Sequence, residues 1–189
     1  MVHTLSVGLL WLPLVLSTVL VFIASSVIHM GPFWHRRDFP PLPREAEALS
    51  ALRPLALPPG DYMLPRAGDM QTYKSPEFTA KLRAGPVAVM TVLPNGPVSM
   101  GRNLSQWFVY LLVVSACVAL IAARTLPLGA GYPHVFKVTG AIAFLGYALA
   151  LCQQSIWYGR SWGLTAKGFL DGAIYAALTA GTFGWLWPR

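Results

Sequence analysis

Charge is what this sequence has least of. Only 11% of its 189 residues are charged, against roughly a quarter in an average soluble protein. That leaves too little polar surface for an ordinary soluble domain of this length. Acid is scarcer still. Seven Asp and Glu face fourteen Lys and Arg, and beyond Glu77 the one acid is Asp171. The two cysteines, Cys117 and Cys152, both fall inside apolar runs, so they make neither a disulfide framework nor a metal pair and read as small hydrophobes. No Walker A, GxSxG, HExxH or CxxC pattern occurs, which removes the common signatures of nucleotide binding, serine hydrolysis, zinc proteolysis and dithiol chemistry. Ser25, Ser26 and His29 are neighbours, but no acid or oxyanion context for nucleophilic catalysis accompanies them. No catalytic residue and no cofactor is expected, and enzymatic activity is disfavoured.

What the chain has instead is long apolar runs. Leu5–Ile28, Leu104–Ala123, Val135–Cys152 and Gly168–Trp187 hold 24, 20, 18 and 20 residues, against about 20 needed to cross a 30 Å hydrocarbon core. The first two carry no charge; the third has Lys137 and the fourth Asp171, each near its start and within reach of an interface. Aromatic residues mark the boundaries: Phe33 and Trp34, Trp107 and Tyr110, Trp157, Tyr158 and Trp162, then Trp185 and Trp187. Indole and phenol rings favour the headgroup level, so the pattern predicts four transmembrane helices. Ala24-Ser25-Ser26 would suit signal-peptide cleavage, but Met1–Thr4 lacks Lys and Arg and the run is long for such a segment. A retained helix is therefore expected.

The net charge of +7 lies mainly between these runs. It is read as topology and anionic-lipid contact, with no nucleic acid. Eleven Lys and Arg fall in 31–103 and the third connection, against Arg124, Lys137 and Arg189 on the other side. Both termini are predicted outside, with 31–103 in the cytoplasm.

The 31–103 segment should fold into a small α+β or irregular extramembrane cap. Pro43 and Pro54 bracket a stretch in which Ala48, Leu49 and Leu52 share a helix face. Ser75-Pro76-Glu77 reads as a helix N-cap, a first-turn proline and an acid at the positive helix end, with Gly85 as the stop. Val87–Leu93 is a β-branched run followed by the turn Pro94-Asn95-Gly96-Pro97.

Three groups are candidate sites. Gly172, Ala176, Ala180 and Gly184 recur every four residues, a spacing that lets helix backbones approach closely. Packing within the chain's own bundle is the first reading and a docking face for another subunit the second. Gln153, Gln154, Tyr158 and Arg160, with Asp171, could form a polar patch for a lipid headgroup. A carboxylate at membrane depth is a functional-site hypothesis by default, although Asp171 is expected in a first helical turn, where the dipole favours an anion. His29, Met30 and His35 offer soft donors for copper, but their spacing fits no metal motif and no metal is expected.

Pro58–Pro65, Lys74–Phe78, Gln154–Arg160 and Gly181–Arg189 together resemble an uncharacterised family of small bacterial multi-pass inner-membrane proteins. The resemblance covers most of the chain and implies a bacterial inner membrane. It implies no activity and assigns no catalytic residue. The expectation is an accessory, assembly or scaffold component of a membrane complex, with a membrane-protein partner or a homo-oligomer. A small transporter or channel subunit using Asp171 and the Gln153–Arg160 patch comes second, and a lipid-acting enzyme third.

Overall fold

The computed structural model describes residues 5–31 and 34–189; Met1–Thr4 and the boundary aromatic Phe33 lie outside the described residues. In chain order the elements are α1 (Trp11–Met30), α2 (Glu45–Leu52), β1 (Gly60–Leu64), α3 (Met70–Tyr73), α4 (Pro76–Ala84), β2 (Ala88–Val92), α5 (Met100–Thr125), α6 (Tyr132–Tyr147), α7 (Cys152–Tyr158) and α8 (Trp162–Trp185). Two compact units result, residues 1–39 with 99–189, and residues 40–98.

The larger unit is a helical bundle. Three helical stretches, Val7–Met30, Met100–Thr125 and Tyr132–Tyr158, are long and apolar enough to cross a membrane, which supports a membrane protein. α8 is as long, 24 residues, but Lys167, Asp171 and its many glycines and threonines dilute its apolar character. It packs chiefly along α6 and α1.

The bundle's core is largely apolar, with Leu10, Val21, Leu111, Val118, Val135 and Phe183 fully buried. It also encloses hydroxyls while large apolar side chains stay outside, a pattern that suits helices in lipid. Ser17, Thr18, Ser115, Thr139 and Thr179 are fully buried, whereas Trp11, Ile23, Val27, Val113, Leu145 and Leu170 are exposed. Ser17 and Ser115 share a hydrogen bond of 2.8 Å between α1 and α5, and the Ser115 hydroxyl also reaches the Leu14 carbonyl at 3.0 Å. Thr139 and Thr179 bond back to carbonyls four residues earlier, which satisfies a buried hydroxyl without a partner on another helix. At the end near residue 126, Trp187 Nε1 donates to Pro127 O at 3.0 Å and Gly129 N to Pro188 O at 2.9 Å.

The third apolar run is not one helix. α6 stops at Tyr147, a turn of 3₁₀-helix covers Leu149–Leu151, and α7 continues from Cys152. Such a break frees backbone carbonyls that need another partner. The Tyr110 hydroxyl supplies one, donating to Gly146 O at 2.5 Å. Opposite the break lie the glycines of α8. A Cβ on Gly172 would sit 2.6 Å from Ala148 Cβ, so only hydrogen fits there, while one on Gly168 would lie 2.7 Å from a Leu151 methyl that would have to turn aside.

The smaller unit, residues 40–98, holds the two strands. β1 and β2 pair antiparallel with Tyr62 opposite Met90 and Asp61 opposite Thr91, and Thr91 Oγ1 donates to Asp61 at 2.6 Å. α3 and α4 lie in the connection between them. The Ser75 side chain accepts from Phe78 N at 3.1 Å, Pro76 occupies the first turn, and Gly85 at φ 61° closes α4. Phe78 is the unit's one buried apolar side chain, with Tyr73 5.7 Å away ring to ring.

Candidate functional site

Asp171 does not lie in a first helical turn. α8 begins at Trp162, capped by Ser161, so Asp171 is the tenth residue, about 13 Å along the axis at 1.5 Å per residue. The dipole effect fades within the first turn, and something else must stabilise a carboxylate that is only 5% exposed.

That something is the segment immediately after α1. Trp34 Nε1 donates to Asp171 Oδ1 at 2.9 Å, and His35 Nε2 lies 2.7 Å from Asp171 Oδ2. The other ring nitrogen of His35 is 2.7 Å from Asp38 Oδ2. Lys167, one turn before Asp171, reaches away from it, donating to Asp38 Oδ1 at 2.5 Å and to the Trp34 carbonyl at 2.6 Å. Hydrogen bonds from Lys167 and then His35 hold the Asp38 carboxyl below its ordinary range, against the upward push of burial. Carboxylate oxygens accept, so the line Asp38–His35–Asp171 holds two protons, one in each contact. With both on the ring, the four ionisable groups sum to zero charge, the condition under which ions are tolerated away from water.

His29 completes the cluster from the last turn of α1. Its ring stacks on His35 with centroids 4.4 Å apart and an interplanar angle of 11°. Its Nδ1 is 3.0 Å from the Ser25 carbonyl. Donor atoms of His29, His35 and Asp171 all lie within 4.8 Å of one another. Met30, grouped with the two histidines in the copper expectation, is 84% exposed; the third donor beside them is Asp171.

On the bundle side of the cluster the lining is aromatic. Trp107 Nε1 donates to Ser25 Oγ at 2.8 Å, and Tyr175 stands between Trp107 and Tyr147 at 6.3 and 5.7 Å. Trp107 is half-buried seven residues inside α5 and packs against the bundle core.

The remaining sequence candidates separate from this centre. Gln153, Gln154, Tyr158 and Arg160 are exposed on α7 and the following turn, and none is hydrogen-bonded to Asp171 among the described residues. The α8 ridge is turned inward. Gly172 meets Ala148, Ala180 lies opposite Gly140, Gly184 faces the Tyr132 ring, and Ala176 is buried. Its first reading, packing within the chain's own bundle, describes those contacts. Sequence reasoning missed Trp34 and Asp38 as partners of Asp171. The available signal was the lone acid at membrane depth, which needs its counter-charge from the nearest loop on the same side.

No protein-family model matches the chain, and no curated protein or solved structure matches it either.

Proposed function

We propose that the chain is a four-span membrane protein that acts as an accessory, assembly or scaffold component, with residues 40–98 as the part that docks. The observation carrying this reading is the poverty of that unit's core. Among its 59 residues one apolar side chain, Phe78, is buried. Leu42, Leu49, Leu52, Leu55, Val87, Val89 and Leu93 are 40–64% exposed. A domain of this size is marginal even with a full core, and apolar surface on such a scale marks an interaction site. α2 shows it locally, since the face formed by Leu49 and Leu52 is uncovered.

The fourth span is α8, supported by its length and its packing along α6 and α1. With four spans, Arg36 and Arg37 after α1 share a side with Arg160 before α8 and Lys167 in its second turn. That bias favours a cytoplasmic cap and external termini in a bacterial inner membrane. The partner is another membrane protein or a second copy of this chain, alongside anionic lipid at the basic rim.

Photocrosslinking from positions 49 and 89 in intact cells tests the docking reading. The expected result is one discrete adduct, weakened when Leu52→Glu is added, with the bundle's melting unchanged. Crosslinking to lipid alone at both positions would overturn it. The transporter reading keeps one favouring observation, the Asp38–His35–Asp171 line that ends on a buried carboxylate. It requires cation or proton flux in proteoliposomes that Asp171→Asn abolishes.

A further inference from the structure

We propose that His29, His35 and Asp171 form a binding site for a divalent first-row transition-metal ion of the zinc or ferrous class. The non-ligating atoms of all three residues are held by partners of their own. Histidines that bind metal almost always donate the other ring N–H to a carboxylate or backbone carbonyl, which fixes the tautomer and orients the ring. Both do so here. The Ser25 carbonyl can only accept, so His29 Nδ1 carries the proton and Nε2 is left as a lone pair. Asp38 takes the Nδ1 proton of His35 at 2.7 Å, and Asp38 is itself held by Lys167. That leaves His35 Nε2 directed at Asp171. The carboxylate follows the same rule, with Oδ1 occupied by the Trp34 indole and Oδ2 turned toward the histidines.

Three donors with three separate supports are more than a structural lock requires. A lock would need the His35–Asp171 contact and the Lys167–Asp38 pair, whereas His29 adds nothing to either. Its stacking on His35 brings a second imidazole to the same carboxylate. Two imidazoles and one carboxylate suit zinc and ferrous iron. The set lacks the thioether that would favour Cu(I), because Met30 points away. The metal replaces the proton between His35 Nε2 and Asp171 Oδ2 and draws the 4.8 Å cluster inward toward bonds of about 2 Å. The stacked rings must splay for both lone pairs to reach it. Three protein donors leave at least one position open for water or a further ligand. The site does not depend on what residues 40–98 dock against.

The test uses the full-length protein in mild detergent, stripped with chelator and titrated with Zn²⁺ alone. One Zn²⁺ per chain is expected, with Co²⁺ giving visible absorption bands at the same stoichiometry. His29→Ala should weaken binding at least tenfold while the protein stays monodisperse, because His29 is exposed and its one hydrogen bond is to its own helix. Asp38→Asn should weaken it about 10–100-fold, the usual effect of removing an outer-shell carboxylate, and saturation at higher Co²⁺ should restore the wild-type visible bands. His134→Ala, on another helix, should change nothing. Sub-stoichiometric binding by the wild type would overturn the assignment. So would unchanged affinity in His29→Ala, or equal loss in His134→Ala.

Discussion

The helical bundle and the 40–98 unit expose comparable kinds of side chain, and the exposure means opposite things. In the bundle, Ile23, Val27, Val113 and Leu170 face outward because lipid tails are as apolar as they are, and the interior carries the serines, threonines and ion pairs that hydrocarbon would reject. In the 40–98 unit, Leu49, Val89 and Leu93 face outward with no such solvent supplied by the unit itself. The bundle thus adds buried polar contacts to a continuous apolar core, whereas the smaller unit buries a single apolar side chain, Phe78.

The widest separation of the two regions should come from Asp171→Ala. It removes the acceptor of both the Trp34 indole and the His35 ring, and taking the acceptor from a donor in such a site costs about 1–3 kcal/mol for each. The bundle's melting transition should fall sharply. Protease sensitivity within 65–87 should stay as in the wild type. Parallel loss in both regions would mean that the two units do not fold independently. Phe78→Ala is the reciprocal experiment. Truncating a buried phenylalanine costs about 3–5 kcal/mol in a full core, and the lower end applies where so little surrounds it. Cleavage within 65–87 should accelerate while the bundle's melting stays put.

The same contrast explains what could be read from the sequence. Apolar runs report lipid exposure directly, so the membrane character was visible from composition and spacing alone. Local grammar was visible too: Ser75, Pro76 and Gly85 bound α4, and Val87–Leu93 contains β2. What was hidden depends on contacts across the chain. β1 lies in a proline-bounded stretch, Gly60–Leu64, with no alternating pattern of its own, and is a strand because β2 pairs with it. The break after Tyr147 is compensated by Tyr110, thirty-six residues away. The start of α8 was misplaced because Trp162–Lys167 is helical without being apolar, and this misplacement made the helix dipole look like the partner of Asp171. Its true partners, Trp34 and His35, lie more than 130 residues earlier. The sequence reading takes Trp34 as a boundary aromatic and His35 as a soft donor, and connects neither to Asp171.

The smallest effect is a pH response confined to the 40–98 unit. Asp69 caps α3 by accepting from Thr72 N at 2.7 Å, and hydrogen bonds from Thr72 hold its carboxyl below the ordinary value of 3.8. A depressed folded-state value means that the cap's contribution is fully present above the unfolded pKa and is lost as pH falls through the folded one. Amide exchange at Thr72 and Tyr73 should therefore be flat from neutral pH down to about 4.5, after correction for intrinsic rates, and should rise below the ordinary carboxylate range. Asp69→Asn keeps an acceptor oxygen without the titration, so it should flatten the response while leaving α3 in place. A response at Thr72 and Tyr73 that persists in Asp69→Asn would overturn the assignment to this cap. One that Asp69→Asn removes makes this acid sensitivity a local property of the unit that has almost no core.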